Sequence, residues 1–371
     1  MSDPFAGATA LASARLTIDV SVLVANWQTL VAKVGDAARV SAVVKADGYG
    51  IGDAKAAAAL AWAGCRTFFV GLPEEGIRIR AAAPVADIYI LAGLIPGSAT
   101  ALAEHRLRPV LGSPSEVAAW LAARRNGLSA SAAIHVDTGM NRLGLSLAEA
   151  RALAADSDAM ALLAPTLLVS HLACADTPAH PLNARQLAAF RQARSLFPGV
   201  PASLANSAGV FLGRDYHFDL VRPGIALYGA AFAEGRPALA TVVTAEARVL
   251  RIRDGIKGET VGYGATQTLA SATRLAILGA GYADGYHRAA SSGDGRPGAR
   301  VWLRGRYAPL VGRVSMDLMA VDVTDIPDAR EGDWAELFGP HVPVDEVAAH
   351  AGTIGYELLT QLGRRYARRY V

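Results

Sequence analysis

The chain has 371 residues, of which 52% are hydrophobic and 19% charged, enough apolar material for one large or two medium domains. Its 36 lysines and arginines against 33 aspartates and glutamates leave a net charge of +3, too small for a nucleic-acid or membrane-surface protein. The two cysteines, Cys65 and Cys174, make no disulfide framework or zinc pattern, and no apolar stretch of spanning length is free of charge, so the expectation is a soluble, cytoplasmic protein with no metal, nucleic-acid or membrane partner.

The first residues, MSDPFAGATALASARL, lack a basic start followed by a long apolar core, and no signal peptide is expected. The run RLTIDV (15–20) then reads as a strand that can join a later sheet. Eight short apolar runs follow: VSAVVK (40–45), TFFVG (67–71), IYILAG (88–93), PVLG (109–112), AIHVD (133–137), TLLVSH (166–171), ASLAN (202–206) and FDLVR (218–222). Between them lie alanine-rich segments with helical periodicity. SPSEVAAWLAARR, for example, places Ser113 or Ser115 at a helix cap. Continuous apolar strands alternating with helices predict an α/β fold, a (β/α)8 TIM-like barrel over residues 1–238.

Turn chemistry at Gly235 to Pro237 marks a boundary. Beyond it the texture changes. TVVTAEARVLRIR, RLAILG, ARVWLRG, APLVGRVSMDLMAVDV and DWAELFG are β-rich and lack intervening helices until about residue 343. A mainly antiparallel β domain over 239–371, with two short helices near its end, is expected. The tail GRRYARRYV reads as the solvated face of a C-terminal helix.

Chemistry in a barrel sits at the carboxyl ends of its strands, and Lys45, Asp137, His171, Asn206 and Arg222 all fall there. In VVKADGYGIG, Lys45 closes an apolar run just before a turn at Asp47 to Gly50. Either its ammonium swings out to water, or it is occupied covalently by a carbonyl cofactor. NSAGV (206–210) follows a strand, opens a helix and offers Ser207 and free N–H groups to an anion; RPGIALYG (222–229) offers Gly224 and Ile225 on a second tight turn. Each feature has an ordinary reading: plain turns, an ion-pairing Arg222, a core His171, and a Tyr263 packed on the sheet. A strand-end lysine, a phosphate cradle and a barrel mouth together point to pyridoxal phosphate.

VVKADGYG, DTGMNRLG, NSAG, RPGIALYG, VGYGAT, GYADGY and GRVSMD occur in one order, and the likeness runs from LTIDVSVLVANWQTL to GTIGYELLTQLGRR. On these motifs the chain resembles the alanine racemases, fold-type III pyridoxal-phosphate enzymes. The resemblance implies interconversion of L- and D-alanine, supplying D-alanine for peptidoglycan, by a homodimer with composite active sites. It makes Lys45 the Schiff-base lysine and one catalytic base, and Tyr263 of the partner subunit the second. Tyr49 and Tyr356 would bind the phosphate with Ser207, Gly224 and Ile225. His171 would lie against the cofactor ring, Arg222 would bond the pyridine nitrogen and Arg142 the phenolic oxygen. Met316 would come from the partner to fix the substrate carboxylate, and Tyr282 and Asp317 would support the site across the same interface.

The chemistry is consistent with those roles. Racemisation takes a Cα proton from one face and returns one to the other, so two acid–base groups must flank a planar carbon. A lysine can serve one face, and a tyrosine the other if cations lower its usual pKa of ~10. An arginine at the ring nitrogen stays protonated and so keeps that nitrogen neutral, a weaker electron sink.

Three positions depart from the family pattern. His135 stands where many relatives carry a carbamylated lysine, which leaves Arg142 to find another partner: an anion, a water or His135 itself. Ser315 replaces a common cysteine, and His287 a common proline. A broad-specificity racemase, a decarboxylase of the same architecture and a non-catalytic pyridoxal-phosphate carrier are the competing functions. Ser315 and VGYGA argue against the decarboxylase, and the β domain argues against the carrier.

Overall fold

The structure is a computed structural model, and it describes residues 11–371. Most of the stretch read for a signal peptide lies outside the described residues. Two compact units divide the chain: Leu23–Leu227 with Ala231–Leu239, and the remaining described residues. Among those residues no helix is long and apolar enough to cross a membrane.

The first unit contains all eight expected strands. They are Arg39–Val40 with Ala42–Val43 (β2 and β3, one run interrupted at Ser41), Thr67–Val70 (β4), Asp87–Ile90 (β5), Leu107–Leu111 (β6), Ala133–His135 (β7), Leu168–Val169 (β8), Ala202–Ser203 (β9) and Leu220–Val221 (β10). β3 to β9 form one parallel ladder in sequence order. β10 pairs in parallel with β2, and Arg222 N–H donates to the Ala205 carbonyl at 2.8 Å, so the ring closes. Every residue of β4 is buried, because a parallel strand is covered on both faces. Burying Phe68 and Phe69, both 0% exposed, stabilises the unit by about 1.5–3 kcal/mol each.

Helices supply the outer layer. Ser113 caps Pro114–Arg125 by accepting the Glu116 N–H at 3.2 Å, with proline at the first helical position. One expected helix is missing. NSAGV leads only into 3-10 turns, Gly209–Phe211 and Arg214–Tyr216. Gly213 at φ +124 and Phe218 at φ +51 interrupt any helical run before β10, and Asn206 Oδ1 takes the Gly209 N–H at 2.9 Å.

In the second unit, β11 (Val243–Gly255) is the organising strand. It pairs antiparallel with β1 (Ala14–Ile18), β12 (Thr273–Leu278) and β13 (Trp334–Phe338). The burial of β1 and of the first half of β11 alternates strictly, as expected of strands with one face on a core. Two helices near the end, Val344–Ala351 and Gly355–Thr360, match expectation. The tail does not. Ala367–Tyr370 is a strand, parallel to β1 from Arg15↔Ala367 to Ile18↔Tyr370. The edge of β1 offers an unpaired ladder, and the tail covers it. Its arginines bond within the protein as well: Arg365 with Asp284 and Asp317, and Arg368 with the Leu362 carbonyl.

Candidate active site

Lys45 leaves the barrel at the end of β3. The next four residues, Ala46, Asp47, Gly48 and Tyr49, all have φ between +52 and +61. The expected turn is therefore one left-handed turn, closed by Gly48 N–H to Val44 O at 3.0 Å and Gly50 N–H to Ala46 O at 2.9 Å. For the three residues with a Cβ this hand costs about 1–2 kcal/mol each. Its result is to swing Lys45 to the mouth and turn Tyr49 inward, where it is 6% exposed. A Cβ on Gly224 would collide with the Tyr49 hydroxyl, so a side chain at 224 would displace Tyr49. Gly224 N–H donates to Ser207 Oγ at 2.9 Å, and Ala226 N–H does so at 3.3 Å. Ile225 opens the 3-10 turn that follows. Tyr49, Ser207, Gly224 and Ile225 thus converge on one tight cradle.

Arg222 is 4% exposed. It donates to Ser203 Oγ at 2.6 Å, to the Ser170 carbonyl at 2.5 Å and to His171 Nδ1 at 3.3 Å, and lies 5.7 Å from the Phe69 ring centroid. All these partners are neutral, and among the described residues no carboxylate pairs with it. Burial pulls its pKa down to about 9, so it stays cationic at neutral pH. Arginine can only donate, so Nδ1 of His171 accepts, and the neutral ring carries its proton on Nε2. Burial first, then the Arg222, Arg142 and Lys45 charges, hold His171 well below the ordinary histidine range.

His135 behaves alike. Burial, then Arg222, push it down to about 4, against an opposing pull from Asp137. Arg142 is exposed and forms no ion pair or hydrogen bond among the described residues, so neutral His135 does not replace a carbamate charge. Asp137 has a role the sequence reading did not assign. Its carboxylate accepts the N–H groups of Gly139, Met140 and Asn141 at 2.8, 2.9 and 2.9 Å, which shapes the loop carrying Arg142. Gln186, fully buried, similarly ties the loop after His171 through Ala173 N–H and the His171 carbonyl. Loss of hydration and the Arg142 charge lower the Lys45 ammonium from its usual range, and Glu75 opposes them. Lysine, two arginines and two neutral histidines make an electropositive cluster, suited to an anion with acceptor atoms.

The other expected residues belong to the second unit. Tyr263 is 71% exposed, on a turn flanked by Gly262 and Gly264 at positive φ. Tyr282, Met316 and Asp317 come together on two adjoining turns: Tyr282 N–H donates to Ser315 O and Ala283 N–H to Met316 O, both at 3.0 Å. Ser315 Oγ donates to the Leu318 carbonyl at 2.6 Å, so the hydroxyl closes its own turn. Arg365 bridges Asp317 at 2.6 Å and buried Asp284 at 3.1 Å, and Asp284 accepts Gly281 N–H at 2.9 Å. Neither Arg365 nor Asp284 was singled out from sequence. His287 Nε2 lies 2.9 Å from Gln361 Oε1, in a loop contact. Tyr356 stands on the last helix, 36% exposed.

Comparison with known proteins adds a family. The models of the alanine racemase N-terminal and C-terminal domains match residues 18–232 and 242–370. The alanine racemase of Rhizobium meliloti is 50% identical over 97% of this chain and 97% of its own. The biosynthetic alanine racemase of Agrobacterium fabrum is 48% identical over 96% of this chain and 93% of its own. A crystal structure of alanine racemase from Bartonella henselae, with covalently bound pyridoxal phosphate, superposes with a TM-score of 0.91 at 40% identity, covering 97% of this chain and 100% of that one.

Proposed function

The chain belongs to the alanine racemase family, and from that premise we propose that it interconverts L- and D-alanine with pyridoxal phosphate held covalently by Lys45. The observation that carries the reading is Arg222, a buried cation with only neutral partners, set beside a strand-end lysine and a glycine cradle. An anionic group with a ring acceptor fits that pocket. Tyr49, Ser207, Gly224 and Ile225, joined by Tyr356, would hold its phosphate through hydroxyl and N–H donors. Arg142 would meet its phenolic oxygen, and His171 would stack on its ring. Once bound, the cofactor supplies the electron withdrawal that makes the substrate Cα proton acidic.

The protein's own part is to move that proton. Lys45 would hold it on one face, and Tyr263 of the partner subunit on the other. Arg222, a donor only, would keep the ring nitrogen unprotonated. Met316 of the partner subunit would fix the substrate carboxylate, with Tyr282 and Asp317 supporting it. A homodimer is supported by exposed apolar side chains on both units. Leu72, Ile95 and Leu143 stand on barrel loops, and Tyr263, Met316, Leu318 and Ile354 on the other unit. Surfaces of this kind favour a partner. We place the enzyme in the cytoplasm, where its D-alanine would feed peptidoglycan, a use that rests on the resemblance of its motifs to the alanine racemases.

Following optical rotation from L- and from D-alanine tests the activity. Both should converge on the racemate, and only when pyridoxal phosphate is bound. Loss of rotation with release of carbon dioxide and an achiral amine, in place of the racemate, would favour a decarboxylase. Equal rates with longer side chains would favour a broad-specificity racemase.

A further inference from the structure

The left-handed turn after Lys45 is tied to one neighbouring helix, Pro73–Ala82, which follows β4: directly at Ala46, and at Asp47 by way of Asp53. Glu75 and Arg78 lie three residues apart on it and share a face. Glu75 is 8% exposed. Its Oε1 accepts Ala46 N–H at 2.7 Å, and its Oε2 accepts Gly71 N–H at 2.7 Å and Leu72 N–H at 3.1 Å. Arg78 donates to Asp53 Oδ2 at 2.9 Å through Nε and stands 2.7 Å from it through a terminal nitrogen. Asp53 N–H in turn donates to Asp47 Oδ1 at 3.2 Å.

An acid three residues past a helix start ordinarily caps that helix. Capping accounts for Leu72 N–H alone. Gly71 N–H lies just past the end of β4, and Ala46 N–H belongs to the first left-handed residue after the lysine. A side chain built at Gly71 would meet both Glu75 Oε2, at 3.3 Å, and Lys45 Cβ, at 3.7 Å, so carboxylate and lysine stem border the same point. Three residues with side chains held in the unfavourable hand within one turn persist only where surroundings over-determine them.

On the reading that Lys45 carries the cofactor, we infer that Glu75, backed by Arg78, is a positioning residue that fixes where Lys45 leaves the strand and so where its amine reaches. Its charge acts in the same sense, raising the lysine's proton affinity against burial and Arg142. Glu75→Gln keeps the size and one acceptor oxygen, but turns an amide toward N–H donors, so one arm of the clamp is lost.

The test has two readouts on purified Glu75→Gln protein. After cofactor exchange, the visible band should return roughly tenfold to a hundredfold more slowly on adding pyridoxal phosphate. Affinity for pyridoxamine phosphate, which has no carbonyl to attach, should be unchanged. In racemisation kcat should fall with little change in KM, and the Cα-deuterium isotope effect should rise for one enantiomer only, the one whose proton Lys45 removes. Equal isotope effects for both enantiomers, or equal losses for both cofactor forms, would overturn the proposal and leave Glu75 a helix cap. Should Glu75→Gln yield no folded holoenzyme, Arg78→Lys must show the same one-sided isotope effect, and its absence overturns the proposal equally. Borohydride reduction and peptide mapping keep the two claims apart: a cofactor found on another lysine refutes the attachment site, not the clamp on the turn.

Discussion

In the barrel, Tyr49, Ser207 and Arg222 are buried and bonded within the chain, whereas in the C-terminal unit Tyr263, Tyr282 and Met316 stand exposed on turns. Both sets are fixed, but at different levels. The barrel fixes side chains: Arg222 is held through its two terminal nitrogens by Ser203, Ser170 and His171. The C-terminal unit fixes backbone. Arg365, Asp284 and Ser315 set the turns, and leave the aromatic and sulfur groups presented outward. The first arrangement suits a site that grips a ligand through preset side chains. The second suits a surface that completes a pocket elsewhere.

The largest expected effect tests the barrel side. Lys45→Ala should abolish both racemisation and the visible band of the bound cofactor. A surviving band would move the attachment to another lysine and dissolve the contrast at its root. Next comes the presented side. Tyr263→Phe should leave that band intact while racemisation falls by roughly 10²–10⁴, the usual contribution of an acid–base group. A band lost together with activity would make Tyr263 part of the cofactor pocket.

A third prediction concerns the protons the barrel excludes. The folded protein holds His135 at about 4 against a usual 6.5. The unfolded chain therefore binds more protons between those values, and stability rises with pH across that window. As pH falls from about 6.5 to about 4, His135 should cost the fold about 3 kcal/mol. Melting temperatures at pH 7 and pH 5 should diverge, and His135→Asn should narrow the gap. An unchanged gap would mean that His171 or the carboxylates govern the acid limb. With no lysine at 135 to carbamylate, activity should also ignore removal of bicarbonate. The smallest effect is expected at Ser315, whose hydroxyl only closes a turn. Ser315→Cys should alter kcat within a few-fold, and a larger change would give the hydroxyl a place in the site.

Much of the barrel was legible because its strands are covered on both faces and read as unbroken apolar runs. The strand ends then delivered Lys45, His171 and Arg222 without further information. Contacts that depend on distant partners were not legible. Glu75 lies 29 residues from Ala46, and an acid in the first turn of a helix reads equally well as a cap. Ala367–Tyr370 holds two arginines in four residues and carries no strand signal of its own; the open edge of β1 makes it a strand. The segment after Ser207 looked like a helix start because glycine and small residues suit one, yet Gly213 and Phe218 at positive φ break it. The hand of the turn after Lys45 was likewise hidden, since Ala46 and Asp47 give no sign of a positive φ. Motif order named Tyr263 and Met316, and composition alone would have left them as surface residues.

The presented surface of one chain is expected to complete the site of another, and mixing subunits separates this from a site built within one chain. Lys45→Ala and Tyr263→Phe homodimers should each be nearly inactive. In a mixed dimer one site carries both lesions and the other carries neither. Equal amounts of the two variants, unfolded together and refolded, should give about half heterodimers if pairing is symmetric. Each heterodimer has one intact site of two, so activity of about a quarter of wild type per total site is expected. No recovery, with subunit exchange confirmed by mass, would place both groups on one chain and contradict the account.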